Sequence, residues 1–281
     1  MRQKRIAAIH DISGIGKCSL TVALPIISVA GIECAAMPTA LLSTHTGGFK
    51  NIYIEDLTKG IMPIANHWKN EGFEFDAIYS GYLGSMEQVD LIKNCISVLK
   101  GDKTLVVVDP VMGDNGRLYQ SFSPEFAFKM RELCAVADII TPNVTEACLM
   151  LSEDYKAPPY TKRYIEELLL KLSEICSGTI VLTGACLSEN EQGAAAYNSK
   201  NGKISFISCP RMAGIYHGTG DVFASTFVSG MVLEKGMEKS LKAAVEFTKL
   251  AIENTKENLP ELWYGVNFEG VLPKLPKLLE D

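Results

Sequence analysis

The sequence predicts an α/β fold: a central, mostly parallel sheet covered by helices, with an antiparallel hairpin late in the chain. Three observations carry this. Short apolar runs alternate with helix-length segments along nearly the whole chain. The runs are continuously apolar, as in Val106-Val107-Val108, which suits parallel strands buried on both faces. Two further runs, 194–197 and 204–208, flank the turn-forming stretch Asn198-Ser199-Lys200-Asn201-Gly202.

The elements follow in order. Residues 6–10 form an apolar run that ends in polar residues, and read as the first strand. Residues 19–30 are apolar on most sides and read as a buried helix, with Pro25 bending it or marking its first turn. Residues 34–38 are the second strand, and 77–80, 105–108, 139–141 and 179–183 continue the series. Helices are expected at 86–99, 124–134, 144–151 and 162–176, and after the hairpin at 222–233 and 240–254. Residues 260–281 are rich in proline and turn formers. No linker, low-complexity stretch or repeat interrupts this alternation, so residues 1–281 are expected to form a single domain.

Composition narrows the function. Among 281 residues, 27 Lys and Arg against 33 Asp and Glu give a net charge of −6. No basic surplus is available for nucleic acid, although a local site for an anionic ligand is compatible with it. The eight cysteines (18, 34, 95, 134, 148, 176, 186 and 209) show no zinc-binding spacing. They are expected as packing thiols in a reduced, cytoplasmic protein. The longest uncharged stretches, 18–32 and 34–49, are too short to span a bilayer and contain Pro25 and Pro38. No membrane partner is expected, and the sequon at Asn143 is expected to stay unmodified.

Ligands of such sheets bind beyond the carboxyl ends of the strands, so chemistry is sought in the loops there. The first, 11–19, contains Gly16-Lys17 and Ser19 and invites a phosphate-loop reading. The match fails: Asp11 stands where that motif needs glycine, and Cys18 where it needs Ser or Thr. Asp11 either receives hydrogen bonds from a polar substrate or caps local structure. The second loop, 43–48, offers small hydroxyls, His45 and two glycines, either as a wall around a small ligand or as an ordinary turn. Histidines 10, 45, 67 and 217 show no metal-ligand spacing. In the third loop, 80–85, Tyr82 either stacks on a flat ring or closes the core edge.

The fourth loop, 109–114, places Asp109 and Asp114 directly after a strand. Carboxylates there are costly unless paired or bound to a cation, and magnesium with substrate phosphates is the natural partner. Asn143 and Glu146 follow the next strand, either as a helix-capping pair or as nucleotide contacts. Gly218-Thr219-Gly220-Asp221 opens an apolar helix. Free amides at a helix start attract an anion, yet Asp221 would repel one. The combination makes sense if the amides stabilise a phosphoryl group in transfer and Asp221 takes the proton of the attacking hydroxyl. The alternative is an ordinary capped helix.

Taken together, Gly218 to Asp221, Asp109-Pro110-Val111-Met112-Gly113-Asp114 and Thr141-Pro142-Asn143-x-x-Glu146 resemble the ribokinase-like kinases. Ser43 to Thr46 and Ser80-Gly81-Tyr82-Leu83-Gly84-Ser85 narrow the resemblance to the pyridoxal kinase branch, over nearly the whole chain. It implies a three-layer fold, a homodimer, and ATP-dependent phosphorylation of the 5′-hydroxymethyl group of pyridoxal, pyridoxamine or pyridoxine. By resemblance Asp221 is the base, and the amides of Gly218, Thr219 and Gly220 form the anion hole. Asp109 and Glu146 are the expected magnesium residues, and Asp114, Thr141, Asn143 and Thr183 contact ATP and its phosphates. Arg211 and Met212 lie in the segment bordering the adenine. Asp11, Thr46, Gly47 and Tyr82 surround the acceptor, and a monovalent cation such as K⁺ sits near the phosphates. Many pyridoxal kinases carry serine where this chain has Asp11, which bears on the preferred vitamer. Two alternatives stand beside this reading. A hydroxymethylpyrimidine kinase would show a glycine- and glutamine-rich first loop, which this chain lacks. A B6-binding protein without catalysis would have no need of Asp221.

Overall fold

A computed structural model describes residues 2–258 and 261–280. The chain runs β1 (Arg5–Ile15), α1 (Leu20–Val29), β2 (Glu33–Thr44), β3 (Ile54–Asp56), α2 (Thr58–Asn70), β4 (Ala77–Ser80), α3 (Met86–Leu99) and β5 (Leu105–Val108). A small flap of β6 (Gly113–Asp114) and β7 (Arg117–Leu118) leads to α4 (Pro124–Cys134), β8 (Ile139–Ile140), α5 (Val144–Leu151), α6 (Lys162–Ser173) and β9 (Thr179–Thr183). The late hairpin, β10 (Glu191–Asn198) and β11 (Lys203–Pro210), precedes α7 (Thr219–Val232) and α8 (Met237–Asn258). A 3-10 turn (Glu269–Lys274) and α9 (Leu275–Glu280) follow.

The main sheet has nine strands in the order β11-β10-β9-β8-β5-β4-β1-β2-β3. The six from β9 to β2 are parallel, and both edges are antiparallel. Ile78, Val106, Val108 and Ile140 face one apolar layer and Tyr79, Val107, Ile139 and Val181 the other, so the central strands are apolar throughout. Helices α2 to α6 cover the first face; α1, α7 and α8 cover the second. This is the expected three-layer α/β arrangement. All eight cysteines are free thiols. Among the described residues, no helix is long and apolar enough to cross a membrane.

Two elements depart from expectation. β3 is an early edge strand whose three residues are all exposed, so it carries no apolar pattern to detect. α2 packs Ile61 and Ala65, with Met62, Ile64 and Trp68 at their edge, on the first layer, but Gly60 and Pro63 read in the sequence as breakers. The first loop also needs correction. Residues 11–15 lie within β1, which pairs with β2 up to Ile15↔Thr44. The register shifts between His10 and Ile12, where Asp11 alone stands opposite Thr39 and Ala40, so the extra residue of the bulge lies in β2 and Asp11 faces it.

The bulge matters because β1 is the switch point of the sheet. From β1 the chain crosses one way to β2 and later the other way to β4, which leaves a crevice at their carboxyl ends. Gly81, just after β4, closes against it: a Cβ there would stand 2.2 Å from Nδ1 of the fully buried His10. Gly81→Ala should therefore destabilise the protein by about 1–3 kcal/mol, read as a lower urea midpoint at unchanged slope.

Candidate active site

Asp11 is 2 % exposed. Ser13 Oγ donates to its Oδ2 at 3.1 Å, while Oδ1 has no hydrogen-bond partner. Burial pushes its pKa up, although the hydroxyls of Ser19 and Ser13 favour the charge. Tyr82 and His45 are close enough to feel that charge. Tyr82 is half-buried, its ring 5.6 Å from that of Phe122. Thr46 is exposed at the end of β2, and Gly47 lies against the His217 ring. The structure thus gathers Asp11, Tyr82, Thr46 and Gly47 around the switch-point crevice.

Asp221 comes from the opposite side, in the first turn of α7. Gly218 at the helix start has φ 81°, and a Cβ there would lie 2.0 Å from the Lys17 carbonyl oxygen. Only glycine fits that close approach. Thr219 Oγ1 donates back to the Tyr216 carbonyl, and Gly220 faces open space. The first-turn amides, as at any helix start, have no intrahelical partners. The Ser19 amide donates to the Asp221 carboxylate. Ser19 is held at φ 59° and Lys17 at φ 55°, unfavourable values for side-chain-bearing residues, so the tight turn after β1 is strained to deliver that amide. Burial and the charge of Asp11 push Asp221 up to about 7.

Two more carboxylates stand beside it. Asp109, 6 % exposed, ends β5, and Thr141 Oγ1 donates to its Oδ1 at 2.9 Å. Glu146 in α5 completes a capping box: its Oε2 accepts the Asn143 amide at 2.9 Å, and Asn143 Oδ1 accepts the Glu146 amide at 2.9 Å. Its Oε1 accepts the Met112 amide at 3.1 Å. The capping reading of Asn143 and Glu146 is therefore correct, whatever else the pair does. Asn143 Nδ2 also donates to the Gly113 carbonyl, tying α5 to the flap. Burial and the charge of Asp221 push Asp109 up, and burial and the charge of Asp109 push Glu146 up. Among the described residues, no ion pair joins Asp11, Asp109, Glu146 or Asp221 to a Lys or Arg.

The outer residues spread further. Asp114 is exposed and bonds only its neighbour Asn115. Thr183 bridges Asn143 at the end of β9. The Arg211 amide donates to the Asn190 carbonyl, and Met212 packs on the C-terminal apolar cluster. Neither side chain bonds the acidic group. Sequence reasoning missed Tyr119, whose phenol feels the charges of Glu146, Asp114, Asp221 and Asp109. It follows the flap, and a lone tyrosine after a two-residue strand leaves no pattern.

Residues 24–261 match the model of a family described as phosphomethylpyrimidine kinase. The chain belongs to this family. A "putative phosphomethylpyrimidine kinase" of Bacteroides thetaiotaomicron, whose crystal form contains pyridoxal, is 36 % identical with a TM-score of 0.92, covering 98 % of this chain and 96 % of that one. The pyridoxal kinase of Lactobacillus plantarum is 30 % identical with a TM-score of 0.88, covering 100 % and 99 %. A "putative pyridoxal kinase" of Schizosaccharomyces pombe is 28 % identical over 284 residues, or 92 % of this chain and 88 % of that protein. The ribokinase-like resemblance is thereby confirmed, and the chain is a kinase of the phosphomethylpyrimidine and pyridoxal kinase group. The matched span leaves out Asp11 and the turn after it, and also everything beyond residue 261.

The buried, unpaired charge of this kinase has a stability cost. Asp109 has a raised pKa in the fold, so its carboxyl favours folding while protonated and disfavours it once ionised. Stability therefore falls as pH rises from the ordinary carboxylate range through the raised value. Asp109→Asn should stabilise the protein by about 1–2 kcal/mol near pH 9, with little advantage near pH 5, in thermal melts across that range.

Proposed function

We propose that this protein transfers the γ-phosphoryl group of ATP to the 5′-hydroxymethyl group of a B6 vitamer. The observation that carries the reading is the position of Asp221: a carboxylate among free helix-start amides, facing the Asp11 crevice on one side and Asp109 on the other. The pyridoxal in the Bacteroides relative supports the acceptor class. In the reaction the acceptor oxygen bonds to the γ-phosphorus while its proton passes to Asp221. The bond from that phosphorus to the β,γ-bridging oxygen breaks, and ADP leaves. The amides of Thr219 and Gly220 stabilise charge on the transferring group. A base with a pKa raised to about 7 is suited to accept that proton near neutral pH.

The residues also fit magnesium. Thr141 occupies one Asp109 oxygen, and the other has no protein partner. Asp109 would hold the ion through that oxygen. Both Glu146 oxygens are engaged by backbone amides, so Glu146 would act through water. Bound there, magnesium supplies neutralisation of phosphate charge.

Asp221→Asn should lower kcat by about 10²–10⁴-fold with little change in the acceptor KM, measured by coupled ADP release. In the wild type kcat/KM should rise with pH through about 7, because the base must be unprotonated, and this limb should vanish in the variant. Full turnover by Asp221→Asn would refute the assigned base. The acceptor is settled by a panel of the three B6 vitamers, hydroxymethylpyrimidine, ribose and adenosine. Turnover of hydroxymethylpyrimidine alone would favour the second reading, which the family's description supports.

Asp11 sharpens the choice among vitamers. A buried carboxylate with an unpartnered oxygen favours a cationic ligand. Asp11→Ser should lower the ratio of kcat/KM for pyridoxamine to that for pyridoxal by about fivefold or more. An unchanged ratio removes Asp11 from selectivity.

A further inference from the structure

Residues 263–269 lie beyond the span matched by the family, yet they touch three loops of the crevice. The contacts converge on His45, which is 6 % exposed. The Gly47 amide donates to His45 Nδ1 at 3.0 Å. That nitrogen is therefore bare, the proton sits on Nε2, and Nε2 donates to the Tyr264 carbonyl at 2.7 Å. The same ring packs against Gly16, where a Cβ would stand 2.2 Å from its Cδ2, and lies 4.9 Å from the His217 ring. Phe49 extends the contact, with its ring 5.1 Å from His45 and 4.7 Å from Trp263. Val266 N donates to the His217 carbonyl at 3.2 Å, and Glu269 pairs with Lys17 at 2.5 Å.

One imidazole thus joins the turn after β1, the acceptor loop, the lead into Gly218 and the C-terminal segment. These are the parts whose spacing decides whether an acceptor hydroxyl meets Asp221. We propose that His45, held by residues 263–269 as a strap, is a positioning residue that fixes the acceptor wall at Thr46 and Gly47 relative to the phosphoryl-transfer turn at Gly218 to Asp221. The inference rests on the kinase reading above for its catalytic consequence. Val266 and Phe268 anchor the strap in the C-terminal apolar cluster, whereas Trp263 is 51 % exposed, so truncating Trp263 is felt in the crevice more than in global stability.

The test combines kinetics with hydrogen–deuterium exchange on His45→Ala, His45→Gln and Trp263→Ala. His45→Ala should raise the acceptor KM about tenfold or more while the ATP KM stays within about twofold. His45→Gln should recover most of the loss, because its amide N–H can still donate to the Tyr264 carbonyl. Trp263→Ala should speed exchange at residues 45–49 and 216–218 with a melting temperature close to that of the wild type. Equal effects on both KM values, no recovery with glutamine, or unchanged exchange at 45–49 in Trp263→Ala would overturn the proposal. If His45→Ala does not fold, the other two variants decide. A wild type inactive on every acceptor would sink the kinase reading alone, and exchange would still decide the strap.

Discussion

The site depends on one electrostatic constraint: four carboxylates, Asp11, Asp109, Glu146 and Asp221, share one end of the sheet with no cationic side chain paired to them. Such a group is unfavourable in a low-dielectric setting unless dipoles compensate it. The compensation is almost entirely backbone and hydroxyl. Met112 and Asn143 amides hold Glu146, the Thr141 hydroxyl holds Asp109, the Ser19 amide holds Asp221 and the Ser13 hydroxyl holds Asp11. What remains is a negative site that gains from a bound cation and from a ligand carrying donors. A net charge of −6 is therefore compatible with the proposed phosphate site, whose attraction would come from amides.

The fold supplies this geometry through strand direction. Six parallel strands end on one side, so residues just past them converge without any being close in sequence. The strained turn at Lys17 and Ser19 re-aims the chain after β1, so that the Ser19 amide meets a carboxylate from α7, about two hundred residues on. The strain is retained because Gly218 packs on the Lys17 carbonyl with no room for a side chain.

Much of this was legible in the sequence. The central strands and the helices at 86–99, 124–134 and 144–151 carry continuous or periodic apolarity, and the structure places them at the expected residues. The capping box at Asn143 and the glycine turn before Asp221 are local patterns and read correctly. β3 was missed because its three residues are exposed, and α2 because Gly60 and Pro63 read as breakers although Ile61 and Ala65 reach the core. Residues 11–15 were misread as a loop because their glycines and polar residues imitate one, whereas pairing with β2 is a long-range fact. Tyr119 was missed, and the role of His45, read only as part of a possible ligand wall, was hidden, for the same reason: their partners lie on other elements.

The family span and the terminal segments divide the labour. Within 24–261 lie Asp109, Glu146, Asp221 and the amides around them, the parts proposed to handle phosphate and proton. Outside it lie Asp11, Gly16 and Lys17 at one end and Tyr264, Gly265 and Glu269 at the other. These two ends meet: a Cβ on Gly265 would stand 2.7 Å from the Gly16 carbonyl oxygen, and Lys17 pairs with Glu269. Phosphoryl chemistry needs one fixed arrangement of charge, and an acceptor hydroxyl must be held against it. The wall proposed at Thr46, Gly47 and Tyr82 lies within the matched span, and the segments farthest apart in sequence brace it from outside. It must then be locked by contact between those segments, and His45 stands where they meet.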